Sequence, residues 1–240
     1  MTTVRVFVPG DRALTPTDVH LDPGQHVLVR YVEGAVRFNA TPQWGADVGP
    51  NGYPRSDFNV HWPADACFED PLTGWHDGHA GLLAQVDGRP QFVGAKATLC
   101  SRAGGPLLLG INDATPDGPK NLGNSGGFEV EVMVAQPDSR LTPLLGAWVK
   151  VSESPRRLGG PDLHLLAFDL DDTWRMLAPY DRGLMEVGTV QELGSLGGRD
   201  YIKLQRYGQD TDDAWFYEAN SKELVLERQT DQFRQSFDRL

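Results

Sequence analysis

The first 136 residues contain many short apolar segments separated by turn residues, and they lack an apolar pattern of helical period and useful length. In one segment, Phe128, Val130 and Val132 alternate with Glu129 and Glu131. This two-residue period is typical of a strand with one buried face. Gly, Pro, Asn and Asp between the segments predict tight turns. We predict strands at Val4–Val8, His26–Val32, Gly81–Val86, Gln91–Ala95, Pro106–Ile111 and Phe128–Ala135. Many short strands favour an antiparallel sandwich or barrel.

The chain of 240 residues is long enough for two modest domains, each with its own core. We predict a first domain at residues 1–136, a linker at residues 137–146 and a small α+β domain of unknown role at residues 147–240. The second domain is predicted to contain strands at Ala147–Val151, Leu163–Leu170, Tyr201–Tyr207, Ala214–Tyr217 and Lys222–Leu226, and helical segments at Thr189–Leu193 and Asp231–Leu240. In the last segment, Asp231 is a candidate helix cap, and Phe233 and Phe237 have helical spacing.

The charge balance limits the partners of the protein. The formal net charge is −11, and both halves of the chain are acidic. We therefore expect no binding to nucleic acid or to an anionic membrane. We also see no apolar run of membrane-spanning length and no signal peptide, which predicts a cytoplasmic protein. Cys67 and Cys100 are then expected to be reduced thiols.

Two strand ends carry a candidate binding site. Asp113 lies two residues after the apolar segment that ends at Ile111, and Asn124 lies four residues before the predicted strand that begins at Phe128. A carboxylate and an amide oxygen at two strand ends suit a hard cation such as calcium. The alternative is a pair of turn residues whose side chains hydrogen-bond to nearby backbone.

Four short motifs, in order, resemble the galactophilic, calcium-dependent bacterial lectins of the LecA (PA-I-like) type. They are Asp22-Pro23-Gly24, Thr41-Pro42-Gln43-Trp44-Gly45, His76-Asp77-Gly78-His79-Ala80-Gly81-Leu82-Leu83, and Asn112-Asp113 with Asn124-Ser125-Gly126-Gly127-Phe128. The resemblance covers about residues 3–136. It implies a mainly β fold, an antiparallel β-sandwich of the galactose-binding jelly-roll kind, and a calcium site that binds galactose or a galactoside glycan.

The resemblance also implies roles for individual residues. Asp113 and Asn124 match two side-chain ligands of the family's calcium, and backbone carbonyls near Phe38 and within Asp117–Lys120 match two more ligands. Gly123 replaces a third side-chain ligand, an Asn. Because the preceding loop is longer here, Asp117 and Asn121 are candidates to replace it. For the sugar, Tyr53 stands where the family has a loop His, and His61 lies in an insertion from which it could compensate.

These features predict a non-enzymatic, carbohydrate-binding protein. The alternative is a protein-interaction module whose sandwich has lost sugar binding, with the aromatic-rich C-terminal domain recognising a protein partner. Lectins of this family can also leave the cell without a classical signal peptide, so non-classical export is compatible with this prediction.

Two further motifs have other interpretations. His76, Asp77 and His79 could bind zinc. We favour a turn with partly exposed imidazoles, because neighbouring residues of a strand point to opposite faces. The segment that ends in Asp169-Leu170-Asp171-Asp172-Thr173 resembles the first motif of haloacid-dehalogenase-like phosphatases, in which the first Asp is a nucleophile. Only 67 residues follow Thr173, too few for the rest of that fold. We therefore favour a strand whose acidic end caps a turn or helix.

Overall fold

The computed structural model describes residues 2–37, 47–52, 80–113, 123–135, 140–154, 164–177 and 184–239. The chain divides into two compact units, Met1–Gln136 and Pro137–Leu240. In the described residues every regular element is a β-strand. The predicted mainly β fold is therefore confirmed.

The first unit is a sandwich of two antiparallel sheets. Its described strands are β1 (Thr2–Pro9), β2 (Thr15–Leu21), β3 (His26–Arg37), β4 (Asp47–Val48), β5 (Leu82–Val86), β6 (Arg89–Phe92), β7 (Lys96–Cys100), β8 (Gly105–Ile111) and β9 (Ser125–Ala135). One sheet has the order β1-β9-β3-β4, with β7 also paired to β3, and the other has the order β2-β8-β5-β6. Side chains from both sheets form one buried core, to which Val27 and Val130 contribute from the first sheet and Leu82 and Leu109 from the second.

The alternation in β9 explains how this strand is placed. Phe128, Val130 and Val132 are fully buried in the core, whereas Glu129 and Glu131 on the opposite face are only partly buried. Such a strand buries one face against the second sheet and keeps the polar face toward solvent. Strand β9 pairs with β1 on one side and with β3 on the other. The start of β9 is thus fixed between two other strands.

The hairpin between β5 and β6 turns at Asp87-Gly88, where both residues have positive φ, 55° and 73°. This is the two-residue turn that matches the twist of the flanking strands. The Asp87 carboxylate accepts hydrogen bonds from Arg102 N (2.6 Å), Ala103 N (3.2 Å) and the Ser101 hydroxyl (2.8 Å). Burial acts to raise the pKa of Asp87, but the hydrogen bonds from this loop outweigh it and leave that pKa below its ordinary value.

Substitution Asp87→Asn is expected to destabilise the first unit by about 1–2 kcal/mol at pH 7, because it weakens charge-assisted hydrogen bonds to the 101–103 loop. Asn tolerates positive φ, so the turn itself is preserved. A depressed carboxyl pKa contributes stability above the unfolded-state pKa of about 3.9, and this contribution is lost as pH falls through the folded-state pKa. Urea unfolding of both proteins from pH 7 down to pH 3 measures the difference, which should shrink toward zero. A difference that stays constant with pH would contradict this role.

The second unit is a closed barrel of eight antiparallel strands. They are β10 (Gly146–Ser154), β11 (Leu165–Phe168), β12 (Thr173–Leu177), β13 (Leu184–Leu196), β14 (Arg199–Arg206), β15 (Asp212–Ala219), β16 (Glu223–Arg228) and β17 (Arg234–Arg239). Each strand pairs with the next, and β10 pairs with β17 to close the barrel. The large side chains of Trp148, Phe168 and Phe237 are fully buried.

Residues 140–145, which fall within the predicted linker, form a turn that packs in the second unit. Leu144 and Leu145 are buried there. The Trp148 indole N–H donates to Leu144 O (2.7 Å), and the Tyr217 hydroxyl donates to Arg140 O (3.1 Å). These bonds fasten the turn to β10 and β15.

The predicted small α+β domain is wrong, because Thr189–Leu193 lies in β13 and the described part of Asp231–Leu240 is a turn followed by β17. Phe233 and Phe237 are four residues apart, a spacing that places two side chains on the same face in an extended chain as well as in a helix. Both are buried, and Phe237 lies on β17. Segment Thr189–Leu193 lies in β13, where a register shift between Val190 and Glu192 interrupts the strand alternation. In the part of the chain that the structure describes, no helix has the length and apolarity needed to cross a membrane.

Candidate functional site

Two of the residues predicted to form the site, Asp113 and Asn124, are in direct contact. Asp113 lies two residues after β8, which ends at Ile111, and Asn124 lies immediately before β9, which begins at Ser125. The two residues meet at this end of the sandwich. Asn124 Nδ2 donates a hydrogen bond of 2.6 Å to Asp113 Oδ2. Asn124 is buried and Asp113 is partly buried. A carboxylate and a carboxamide from opposite sheets are thus brought together.

A network of backbone hydrogen bonds fixes the position of Asp113. The preceding Asn112 is fully buried; its N–H donates to Gly81 O (2.9 Å), and its carbonyl accepts from Ala80 N (2.8 Å). Asp113 N donates in turn to Ile111 O (2.9 Å). Ala80 has a positive φ of 62°, a conformation that costs a non-glycine residue about 1 kcal/mol. The segment before β5, part of the third family motif, therefore holds the acidic residue in place.

Asn124 has a second partner that the sequence did not indicate. Its Nδ2 also donates to Gly10 O (3.2 Å), and Gly10 N donates to Gly126 O (2.9 Å). The two Nδ2 hydrogens are directed at Asp113 and Gly10, so Oδ1 is the Asn124 atom suited to bind a cation. The loop after β1 is therefore part of the site. In the sequence, Pro9 and Gly10 indicate a turn after the first strand. They do not indicate where this loop lies, because its position depends on the long-range pairing of β1 with β9.

Gly126, in the Asn-Ser-Gly-Gly motif, has a structural reason to be glycine. Its φ is +80°, and a Cβ added there would lie 2.2 Å from Ala35 O on β3. The pairing of these two strands includes Arg37, the last residue of β3, opposite Ser125, the first residue of β9. Close passage of β9 along β3 therefore requires this glycine whether or not a ligand binds.

The chemistry of the contact fits a hard cation. Asp113 offers a carboxylate and Asn124 an amide oxygen, and both are oxygen ligands of the kind that calcium takes in six- to eight-fold coordination. Among the described residues, no three His, Cys, Asp or Glu side chains form a metal-binding group. Further ligands to such an ion would therefore include backbone carbonyls, other amides, water or ligand hydroxyls.

Several predicted site residues lie outside the described residues. They are Phe38, Tyr53, His61, Asp117 and Asn121, together with His76, Asp77 and His79 of the alternative zinc interpretation. Their roles stay predictions. Gly123 is described, and its φ of 73° is in the left-handed region.

The phosphatase-like motif of the second unit forms the hairpin between β11 and β12. Asp169 is 1% exposed and accepts two hydrogen bonds from Arg175, at 2.7 and 3.2 Å. The Thr173 hydroxyl donates to Asp171 (2.7 Å), and the carbonyl of Asp172 accepts from Val190 N (2.7 Å). The motif thus joins two strands, and its first Asp forms a buried ion pair.

The fold defines a β-sandwich followed by an eight-stranded β-barrel. No family model matches the chain, and no curated protein sequence matches it. A solved structure described as the EclA N-terminal domain, a PllA-like lectin, is similar at 20% identity, covering 56% of this chain and 97% of that chain with a TM-score of 0.38.

Proposed function

We propose that residues 1–136 bind carbohydrate with the help of calcium, at the site formed by Asp113 and Asn124. The observation that carries this proposal is the 2.6 Å contact between Asn124 Nδ2 and Asp113 Oδ2 across the ends of β8 and β9. Two residues chosen from the sequence as cation ligands come together from opposite sheets. Both Nδ2 hydrogens of Asn124 are donated to Gly10 and Asp113, so Oδ1 is the atom of this side chain that would bind the cation.

The ligand chemistry follows from the groups present. A calcium ion held here would bind vicinal sugar hydroxyls in place of two waters, because hydroxyl oxygens are acceptable hard ligands. Asp113 can accept hydrogen bonds from those hydroxyls, and amides can both accept and donate. Such paired recognition distinguishes the stereochemistry of neighbouring hydroxyls. The choice of galactose and galactosides rests on the motif resemblance.

Restoring the missing amide should strengthen the site. Substitution Gly123→Asn is expected to lower the Kd for calcium by about tenfold, or about 1.4 kcal/mol, because it adds an amide oxygen beside Asn124. The φ of Gly123, 73°, lies where Asn is the best tolerated of the larger residues. Calorimetric titration of chelator-treated protein with calcium measures the change.

Gly24→Asn is the matched control for this experiment. Gly24 also has a positive φ, +83°, with no atom within 4 Å of an added Cβ. This control should bind calcium as the wild type does. Uptake that is equal in Gly123→Asn and in the wild type would contradict the ligand assignment, and absence of uptake in both would contradict the proposed function.

A second candidate function is protein recognition by the barrel. The second unit exposes Leu184 (60%), Met185 (45%), Leu196 (59%) and Tyr207 (62%). Tyr207 N donates to Val187 O (3.0 Å), which places Tyr207 beside the strand that carries Met185. Exposed apolar and aromatic side chains are typical of interaction surfaces. A wild-type protein that takes up neither calcium nor galactoside would favour this candidate.

A further inference from the structure

The loop that joins β1 to β2, residues 10–14, is held against both strand ends of the site. Gly10 receives the Asn124 side chain at its carbonyl (3.2 Å) and donates its N–H to Gly126 O (2.9 Å). Three residues later, Ala13 O accepts from Ile111 N (3.2 Å). The backbone of this loop is thus bonded to the end of β8 and to the start of β9.

Gly110 shows how closely the loop is packed. A Cβ added at Gly110 would lie 1.7 Å from Ala13 O and 3.0 Å from Leu14 Cα. These are backbone atoms, which cannot move away by changing a rotamer. Because the loop approaches β8 this closely, its two polar side chains, Asp11 and Arg12, are carried on a fixed backbone beside Asp113 and Asn124.

Both polar side chains of the loop are available to a ligand. Asp11 is partly buried and Arg12 is exposed. Among the contacts of the described residues, neither the Asp11 carboxylate nor the Arg12 guanidinium has a hydrogen bond or ion pair. The backbone N–H of Arg12 donates to Pro9 O (3.4 Å) within the same turn. Arg37, by contrast, is engaged in an ion pair in which its Nε contacts Asp47 Oδ1 at 2.8 Å. Asp11 lies one peptide step, about 3.8 Å between Cα atoms, from the residue that holds Asn124.

We propose that Asp11 and Arg12 are specificity-determining residues of the glycan site, an inference that rests on the proposed function. Asp11 accepts a hydrogen bond from a sugar hydroxyl beyond those that face the cation. Arg12 binds an anionic substituent of the glycan, because a guanidinium fits the paired oxygens of carboxylate and sulfate. The glycan class that this loop selects is therefore a galactoside that carries a carboxylate or sulfate group.

Calorimetric titrations of the full chain in calcium test the assignment, with methyl β-galactoside and a sulfated galactoside as probes. The wild type should bind the sulfated probe about five- to tenfold more tightly, a typical gain for one charge-assisted contact. Arg12→Ala should remove that preference and leave binding of the neutral probe unchanged. Asp11→Asn should weaken the binding of both probes about tenfold. Calcium uptake should be unchanged in both variants.

Two exposed residues of the same unit supply matched controls. Asp18→Asn on β2 and Arg89→Ala on β6 make the same chemical changes away from the loop and should bind both probes as the wild type does. If the wild type binds galactoside but Asp11→Asn and Arg12→Ala behave as these controls, the assignment is overturned while the proposed function stands. If the wild type binds neither probe in calcium, the proposed function fails and the assignment fails with it.

Discussion

Substitution Asp113→Asn is expected to weaken calcium binding by about 100-fold or more, which is about 2.7 kcal/mol. The change removes the negative charge that a divalent cation needs and leaves a neutral amide oxygen in its place. It also keeps an acceptor for the Asn124 side chain, whose hydrogen bond to Asp113 is 2.6 Å long. The fold should therefore survive, and loss of binding would report on the charge alone.

Thermal unfolding with and without calcium measures this loss alongside calorimetry. At a calcium concentration 100 times its Kd, the wild type should gain about 2.7 kcal/mol of stability, because the ion binds only the folded state. Asp113→Asn should gain no more than about 0.4 kcal/mol under the same conditions, because that calcium concentration does not exceed its weakened Kd. Asp18→Asn, an exposed carboxylate on β2, should keep the full gain. An Asp113→Asn protein that calcium stabilises as strongly as the wild type would show that the ion binds elsewhere.

Substitution Gly110→Ala is expected to destabilise the first unit by about 3 kcal/mol or more. The added methyl group would lie 1.7 Å from Ala13 O and 2.7 Å from the Ala13 carbonyl carbon. To relieve the overlap, β8 must separate from the loop between β1 and β2. This separation breaks the hydrogen bond that Ile111 N donates to Ala13 O. Overpacking against backbone is costly because no side chain can turn aside. Urea unfolding followed by circular dichroism measures the loss.

Gly49→Ala is the control for Gly110→Ala. Gly49 is exposed, and no atom lies within 4 Å of a Cβ added there. This variant should remain within about 0.5 kcal/mol of the wild type. A Gly110→Ala protein as stable as Gly49→Ala would mean that the loop does not pack against β8. The structural basis for placing Asp11 and Arg12 beside the site would then be lost.

The contact between Asp113 and Asn124 could be predicted because it depends on local patterns. An apolar segment ends two residues before Asp113, and an alternating segment begins four residues after Asn124. The resemblance to a lectin family then placed the two strand ends together. The role of Gly10 could not be predicted, since it depends on the register of β1 against β9, in which Pro9 lies opposite Gly127. No local pattern reports a pairing between residues more than 100 positions apart.

The barrel was missed for a different physical reason. Phe233 and Phe237 have a spacing that a helix and a strand both place on one face, and a bulge in β13 breaks the alternation around Val190. Closure of the barrel also depends on β10 pairing with β17, as in Trp148 opposite Arg239. Burial and ring closure therefore decided the structure of a segment whose local pattern was ambiguous.

The central claim is that the sandwich binds a galactoside with the help of a cation at Asp113 and Asn124. Its most direct test is calorimetric titration of the wild-type chain with methyl β-galactoside, performed on calcium-loaded and on chelator-treated protein. The proposal predicts saturable binding to the calcium-loaded protein and none to the chelator-treated protein. Equal binding in both states, or no binding in either, would contradict it.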